Sequence, residues 1–159
     1  MTRRFIPALL TLALIAGCAT PPVGKVTPVG DGAGKAAPLA NAEWHNLGVS
    51  PNGNILHEID KLSIKPIGPS RYTFRDRKTV FNPKKEDFRS TTPHKFSLNQ
   101  WELDCSARTI RLTGMALYDQ QGREISKYTY NDSQIKAMPV VRSSASYQQM
   151  EFICGANPA

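Results

Sequence analysis

The sequence predicts an α+β fold, mainly an antiparallel β-sheet with a C-terminal helix and one disulfide. Three observations predict it. Between residues 44 and 130 apolar and polar residues alternate in short runs, and turn sequences such as Ser50-Pro51-Asn52-Gly53-Asn54 and Asp119-Gln120-Gln121-Gly122 separate the runs. After Ser143 and Ser144 the period changes, and Tyr147, Met150 and Cys154 fall at helical spacing. Two cysteines, Cys105 and Cys154, stand at the end of a predicted strand and at the end of that helix.

The N-terminus comes first in chain order. Arg3 and Arg4 precede an apolar run from Phe5 to Ala16 that closes in small residues, the layout of a secretory signal. The run is too short to span a bilayer, which takes about 20 residues. Leu14-Ile15-Ala16-Gly17-Cys18 resembles the lipobox of bacterial lipoproteins. That resemblance implies removal of residues 1–17 and a mature N-terminus at Cys18, acylated there with palmitate-type chains. Each buried methylene contributes about 0.8 kcal/mol, so two or more chains make a stable anchor. Ala19 stands where an Asp would signal retention in the inner membrane, and by the same analogy the outer membrane is expected.

An exported domain folds in an oxidising compartment. With Cys18 assigned to the lipid, the remaining pair, Cys105 and Cys154, reads as one disulfide closing a 49-residue separation. The alternative is two free buried thiols. Residues 18–40 form the lipidated Cys and a linker: Gly and Pro recur without any hydrophobic period. As a coil, residues 19–40 span about 26 Å, with a stretched limit of about 75 Å. Gly30 to Lys35 faintly echoes a phosphate loop, but Val29 and Ala36 stand where Gly and Ser or Thr are needed.

Residues 41–159 are the folded domain. Trp44 to Val49 is the first predicted strand, followed by the Asn52-Gly53 turn. Ile55 to Asp60 places Ile55, His57 and Ile59 on one side and Leu56, Glu58 and Asp60 on the other. Leu62 to Ile67 is a separate extended piece, ended by Gly68-Pro69-Ser70. Arg71 to Phe81 alternates, with Tyr72, Phe74 and Val80 on one face. Residues 82–94, with Pro near both ends, are a loop. Phe96 to Cys105 is the clearest strand, with Trp101, Leu103 and Cys105 opposite Gln100, Glu102 and Asp104. Thr109 to Tyr118 and Arg123 to Tyr130 complete the set, and short turns favour antiparallel pairing. Ser143 or Ser144 caps a helix over residues 145–154.

Candidate chemistry is sparse. The three histidines, His45, His57 and His94, show no metal-ligand spacing, so no metal or other cofactor is expected. There is no G-x-S-x-G elbow, and an oxidised cysteine is no nucleophile, so no catalytic residue is assigned and no enzyme is expected.

Charge is more informative. The chain carries +7, and loss of Arg3 and Arg4 with the signal leaves +5. Residues 61–95 hold ten basic residues against three acidic ones, so the positive charge is local. A patch of Arg71, Arg75, Arg77, Lys78, Lys84, Lys85, Arg89 and Lys95 is the candidate binding surface. Arg71, Arg75 and Arg77 alternate along one strand and share a face that suits a linear anion. The blander reading is a solvated edge that blocks aggregation. Sulfated glycans, lipopolysaccharide, anionic headgroups and acidic proteins fit the compartment, and nucleic acid does not. Of the nearby aromatics, Phe81 is expected to pin the loop to the core, while Phe88 is open to either role.

The order of these features resembles the surface-adhesin protein E family of Gram-negative lipoproteins. The residues that carry it are Trp44, Ile59-Asp60-Lys61-Leu62-Ser63-Ile64, Glu102-Leu103-Asp104-Cys105 with Arg108, Tyr118-Asp119 with Gly122, Pro139 before a Ser-rich helix start, and Cys154. They cover most of residues 42–155. The resemblance implies a small antiparallel sheet with a helix, a Cys105–Cys154 bridge, and binding of host extracellular matrix or serum proteins. The chain departs from the family in the basic loop at 82–94 and in Arg75, where an aromatic is expected. The second reading is a periplasm-facing structural or accessory lipoprotein without a host ligand.

Overall fold

The computed structural model describes residues 41–156. The signal, Cys18 and the linker lie outside the described residues. Seven strands form one antiparallel sheet: β1 (Trp44–Val49), β2 (Ile55–Gly68), β3 (Arg71–Val80), β4 (Phe96–Asp104), β5 (Thr109–Tyr118), β6 (Glu124–Thr129) and β7 (Met138–Pro139). The first six lie side by side in chain order, and β7 pairs with the start of β5. One helix, α1 (Ala145–Ala156), follows.

The connections explain the meander. Gly53 takes φ 71° in the β1–β2 turn, a conformation that costs an L side chain energy. Ser50 and Asn52 close that turn, with the Ile55 amide donating to Ser50 Oγ at 2.9 Å and the Asn54 amide to Asn52 Oδ1 at 3.1 Å. Between β5 and β6, Asp119 accepts from the amides of Gln121 and Arg123, each at 2.9 Å. These bonds, the Arg123 amide first, hold its carboxyl below the ordinary carboxylate range.

Register assigns the two faces of the sheet. Ile59 on β2, Phe74 on β3, Leu103 on β4 and Ile110 on β5 pack with Met150 and Ile153 of α1 in one buried cluster. Burial of each large side chain contributes about 1.5–3 kcal/mol, so this interface is the main source of stability. The helix is also tied by a polar contact. Asp76, only 1% exposed, accepts from Asn99 Nδ2 and Gln149 Nε2, both at 2.6 Å. His45 stacks on Phe152 with ring centroids 4.5 Å apart. On the same face His57 lies across from Lys78, and burial first, then the Lys78 ammonium, lowers its pKa below 6.5.

Cys105 and Cys154 are bonded, with Cα atoms 5.9 Å apart. The bridge joins the residue after β4 to the last turn of α1 and staples helix to sheet. Ser144 caps the helix: its Oγ accepts from the Tyr147 amide at 3.1 Å, while Ser143 turns the chain at φ 62°.

The structure departs from the expected elements in four places. The two extended pieces at 55–60 and 62–67 are one strand, β2, with a register shift between Asp60 and Lys65: five steps along β2 match two along β3. Side chains fill the broken ladder, as Ser63 Oγ donates to the Asp60 carbonyl and accepts from the Arg75 amide. The two-residue β7 carried no periodic signal. On α1, Ile153 at 1% exposure is more deeply buried than the Tyr147, Met150 and Cys154 positions that revealed the helix. Phe81 corrects the expected core anchor: it is 49% exposed, because Asn54 and Asn82 rather than an apolar contact hold the loop.

Candidate functional site

The helix covers one face of the sheet. The other face carries Trp44, Glu58, Asp60, Arg75, Arg77, Gln100, Leu98, Ala116 and Tyr118, as the cross-strand pairs place them. Leu98, Ala116 and Tyr118 form a small apolar cluster there, packed by Trp44 and Phe96. Phe96 and Tyr118 stack at 4.9 Å. Burial, and secondarily Glu124, raises the Tyr118 pKa.

Arg71, Arg75 and Arg77 do share this open face. Two of them are committed within the domain. Arg77 Nε and Nη2 donate to the two oxygens of Glu58 at 2.7 and 2.9 Å, a two-bond pairing between opposite positions of β2 and β3. Arg75 Nη2 donates to Asp60 Oδ2 at 2.5 Å. Trp44 covers the pair: the Arg77 guanidinium lies 4.4 Å and the Arg75 guanidinium 5.8 Å from its ring centroid. Two cations and two carboxylates make this stretch neutral. The acids were legible as one side of a predicted strand, and antiparallel pairing of β2 with β3 is the signal that would have matched them to the arginines.

The remaining basic residues disperse. Arg71 sits at the far end of β3, 3.7 Å from Glu102. Glu102 also takes Arg111 Nη2 at 2.8 Å, and this hydrogen bond leads the rise in the Arg111 pKa. Lys78 is on the helix face, its Nζ 5.7 Å from the Trp101 ring. Lys95 Nζ donates to the Phe81 carbonyl at 3.0 Å. Arg89 pairs with Asp87.

Lys84 and Lys85 are different. They occupy a 3-10 turn, Pro83–Lys85, capped by Asn82, whose side chain accepts from the Lys84 amide at 3.1 Å. The turn is fastened to the β1–β2 hairpin, since Asn54 Nδ2 donates to Glu86 Oε1 at 2.6 Å and to the Asn82 carbonyl at 3.0 Å. Phe88 packs on His94 inside the loop, with ring centroids 4.8 Å apart. The eight predicted patch residues therefore divide among both sheet faces and both ends of β3. Only Lys84, Lys85, Arg89 and Lys95 gather in one loop.

Among the described residues no three His, Cys, Asp or Glu side chains are grouped to hold a metal. No helix among them is long and apolar enough to cross a membrane.

No curated protein matches the chain by sequence. Its fold is similar to that of Haemophilus influenzae protein E in crystal form II, with a TM-score of 0.51 at 15% identity, over 80% of this chain and 100% of that one. The selenomethionine form of Haemophilus influenzae protein E aligns at TM-score 0.48 and 15% identity, over 70% of this chain and 86% of that one. At such identity the likeness is one of fold. The model of the family described as surface-adhesin protein E matches residues 44–155, which takes in every strand and most of the helix. This chain belongs to the surface-adhesin protein E family.

Proposed function

We propose that the protein is a lipid-anchored, outer-membrane binding protein that acts as a surface adhesin, anchored through Cys18 and contacting acidic host matrix or serum proteins with the loop at 81–95. Family membership supports the adhesin class. The observation that carries the choice of loop is the presentation of Lys84 and Lys85. They are exposed, adjacent and held on a capped turn, and among the described residues neither has a carboxylate within 4 Å. Phe81, exposed beside them, adds an apolar anchor within a charged rim, the composition of many protein interfaces.

The loop is tested on heparin resin as an acidic surrogate. Lys84→Gln with Lys85→Gln should elute at lower salt than the parent. The slope of log affinity against log salt should fall by about 2, one for each released counterion. Thermal unfolding should be unchanged, because neither side chain is buried. An unaltered elution salt with intact folding contradicts the assignment. Charge reversal at Arg75 and Arg77 is the wrong probe, because it breaks the pairs with Asp60 and Glu58 and damages the sheet.

A further inference from the structure

The open face contains a second feature, separate from the loop. Two clefts adjoin there. The larger, about 430 Å³, opens where the β2 irregularity lies beside Thr113, and Asn41, Lys65, Arg75, Gln100 and Trp101 are among its walls. The smaller, about 150 Å³, continues across β5 towards β6 and is lined by Gly114, Lys127 and Thr129 among others. Arg75 and Gln100 line both, so the two clefts adjoin at these residues and together make a groove that runs across the strands. From β2 to β6 it crosses four inter-strand steps, about 19 Å.

The groove's chemistry is specific. Its floor at Gly114 is bare backbone: a Cβ there would stand 3.4 Å from the Tyr128 carbonyl oxygen and 3.7 Å from Gln100 Oε1. Its walls carry neutral amides and hydroxyls able both to donate and to accept. A cation stands towards each end, Lys65 on β2 and Lys127 on β6. Both are exposed, and among the described residues neither has a carboxylate within 4 Å. The central Arg75 is already balanced by Asp60.

We propose that this groove binds a linear saccharide chain bearing carboxylates but not sulfates. Hydroxyl-rich sugar units match the amide and hydroxyl walls, and spaced carboxylates match Lys65 and Lys127. Dense sulfation does not match, because Asp60 and Glu124 leave the groove lining only weakly positive. An extended peptide is disfavoured because the face of a sheet offers it no free backbone donors, unlike an edge. Lys65, Gln100 and Lys127 are residues the charge pattern did not single out.

The chain contains two tryptophans. Trp44 covers Arg75 beside the groove, whereas the Trp101 ring packs on the helix side, so it is the Trp44 fluorescence that reports occupancy. The full-length protein is titrated with a hyaluronan tetrasaccharide, which carries glucuronates without sulfate, and with neutral maltotetraose. A saturable fluorescence change with hyaluronan, at least tenfold weaker with maltotetraose and at least tenfold weaker in Lys65→Ala/Lys127→Ala, is expected. The Lys84→Gln/Lys85→Gln protein should bind the tetrasaccharide normally. No saturable change, equal response to maltotetraose, or undiminished binding by the Lys65/Lys127 variant overturns the proposal. Loss of hyaluronan binding in the Lys84/Lys85 variant also overturns it, by assigning the saccharide to the loop. Failure of the loop on heparin leaves this result unaffected, so the two readings fall separately.

Discussion

Cys105→Ser is expected to lower the melting temperature of the oxidised protein by roughly 15 °C. The bridge closes a separation of 49 residues. Chain-entropy reasoning assigns such a loop about 4 kcal/mol. That is a large share of the ~5–15 kcal/mol that holds a domain together. The loss should concentrate in α1, which is otherwise held by the Met150 and Ile153 cluster, the Gln149–Asp76 bond and the stack of Phe152 on His45. Under reducing conditions parent and variant should melt together. A variant equally destabilised in both conditions would show that Cys105 acts by packing and not by its bond.

Asp60→Ala is expected to cost about 3–5 kcal/mol, read from the urea midpoint. The carboxylate is 1% exposed and serves three donors. Its Oδ1 accepts from the amides of Glu43 at 2.9 Å and Leu62 at 3.2 Å, and its Oδ2 accepts from Arg75. Truncation leaves two amides and a half-buried guanidinium without that acceptor at the point where the β2 ladder is already interrupted. Glu58→Ala should cost less, because Arg77 keeps its stack on Trp44. A greater loss from Glu58→Ala than from Asp60→Ala would contradict this account of the open face.

Much of this fold was legible because the sheet has one covered face. A strand half in the core must alternate, and Trp101 and Leu103 against Gln100 and Glu102 show the alternation without ambiguity. The turns announced themselves through Asn52-Gly53 and Asp119 with Gly122. The helix was visible through the Ser143-Ser144 start and the spacing of Tyr147, Met150 and Cys154, and the structure assigns the cap to Ser144. The disulfide followed from compartment and an even count.

What was not legible depended on register. Alternation showed that Arg75 and Arg77 share a face, and likewise Glu58 and Asp60. It did not say that the two pairs stand opposite one another, which turns a basic stripe into a neutral one. Parity also set Lys78 on the face opposite Arg77, although they are adjacent in sequence. The irregularity at 61–64 was invisible for a related reason. It rests on one Ser63 hydroxyl bridging Asp60 and Arg75, a tertiary contact without a local signature. The groove shares that origin, since Lys65, Gln100 and Lys127 come from three strands and meet only through pairing. Arg75, the position that departs from the family's expected aromatic, sits at the centre of both features.

The function proposed above puts the domain outside the cell, where its loop would meet host proteins. Protease shaving of intact cells tests this most directly, with the domain and a periplasmic control followed by blotting. The account predicts that the domain disappears while the control survives. Survival of the domain until the outer membrane is permeabilised would contradict it and would identify an inward-facing envelope lipoprotein instead.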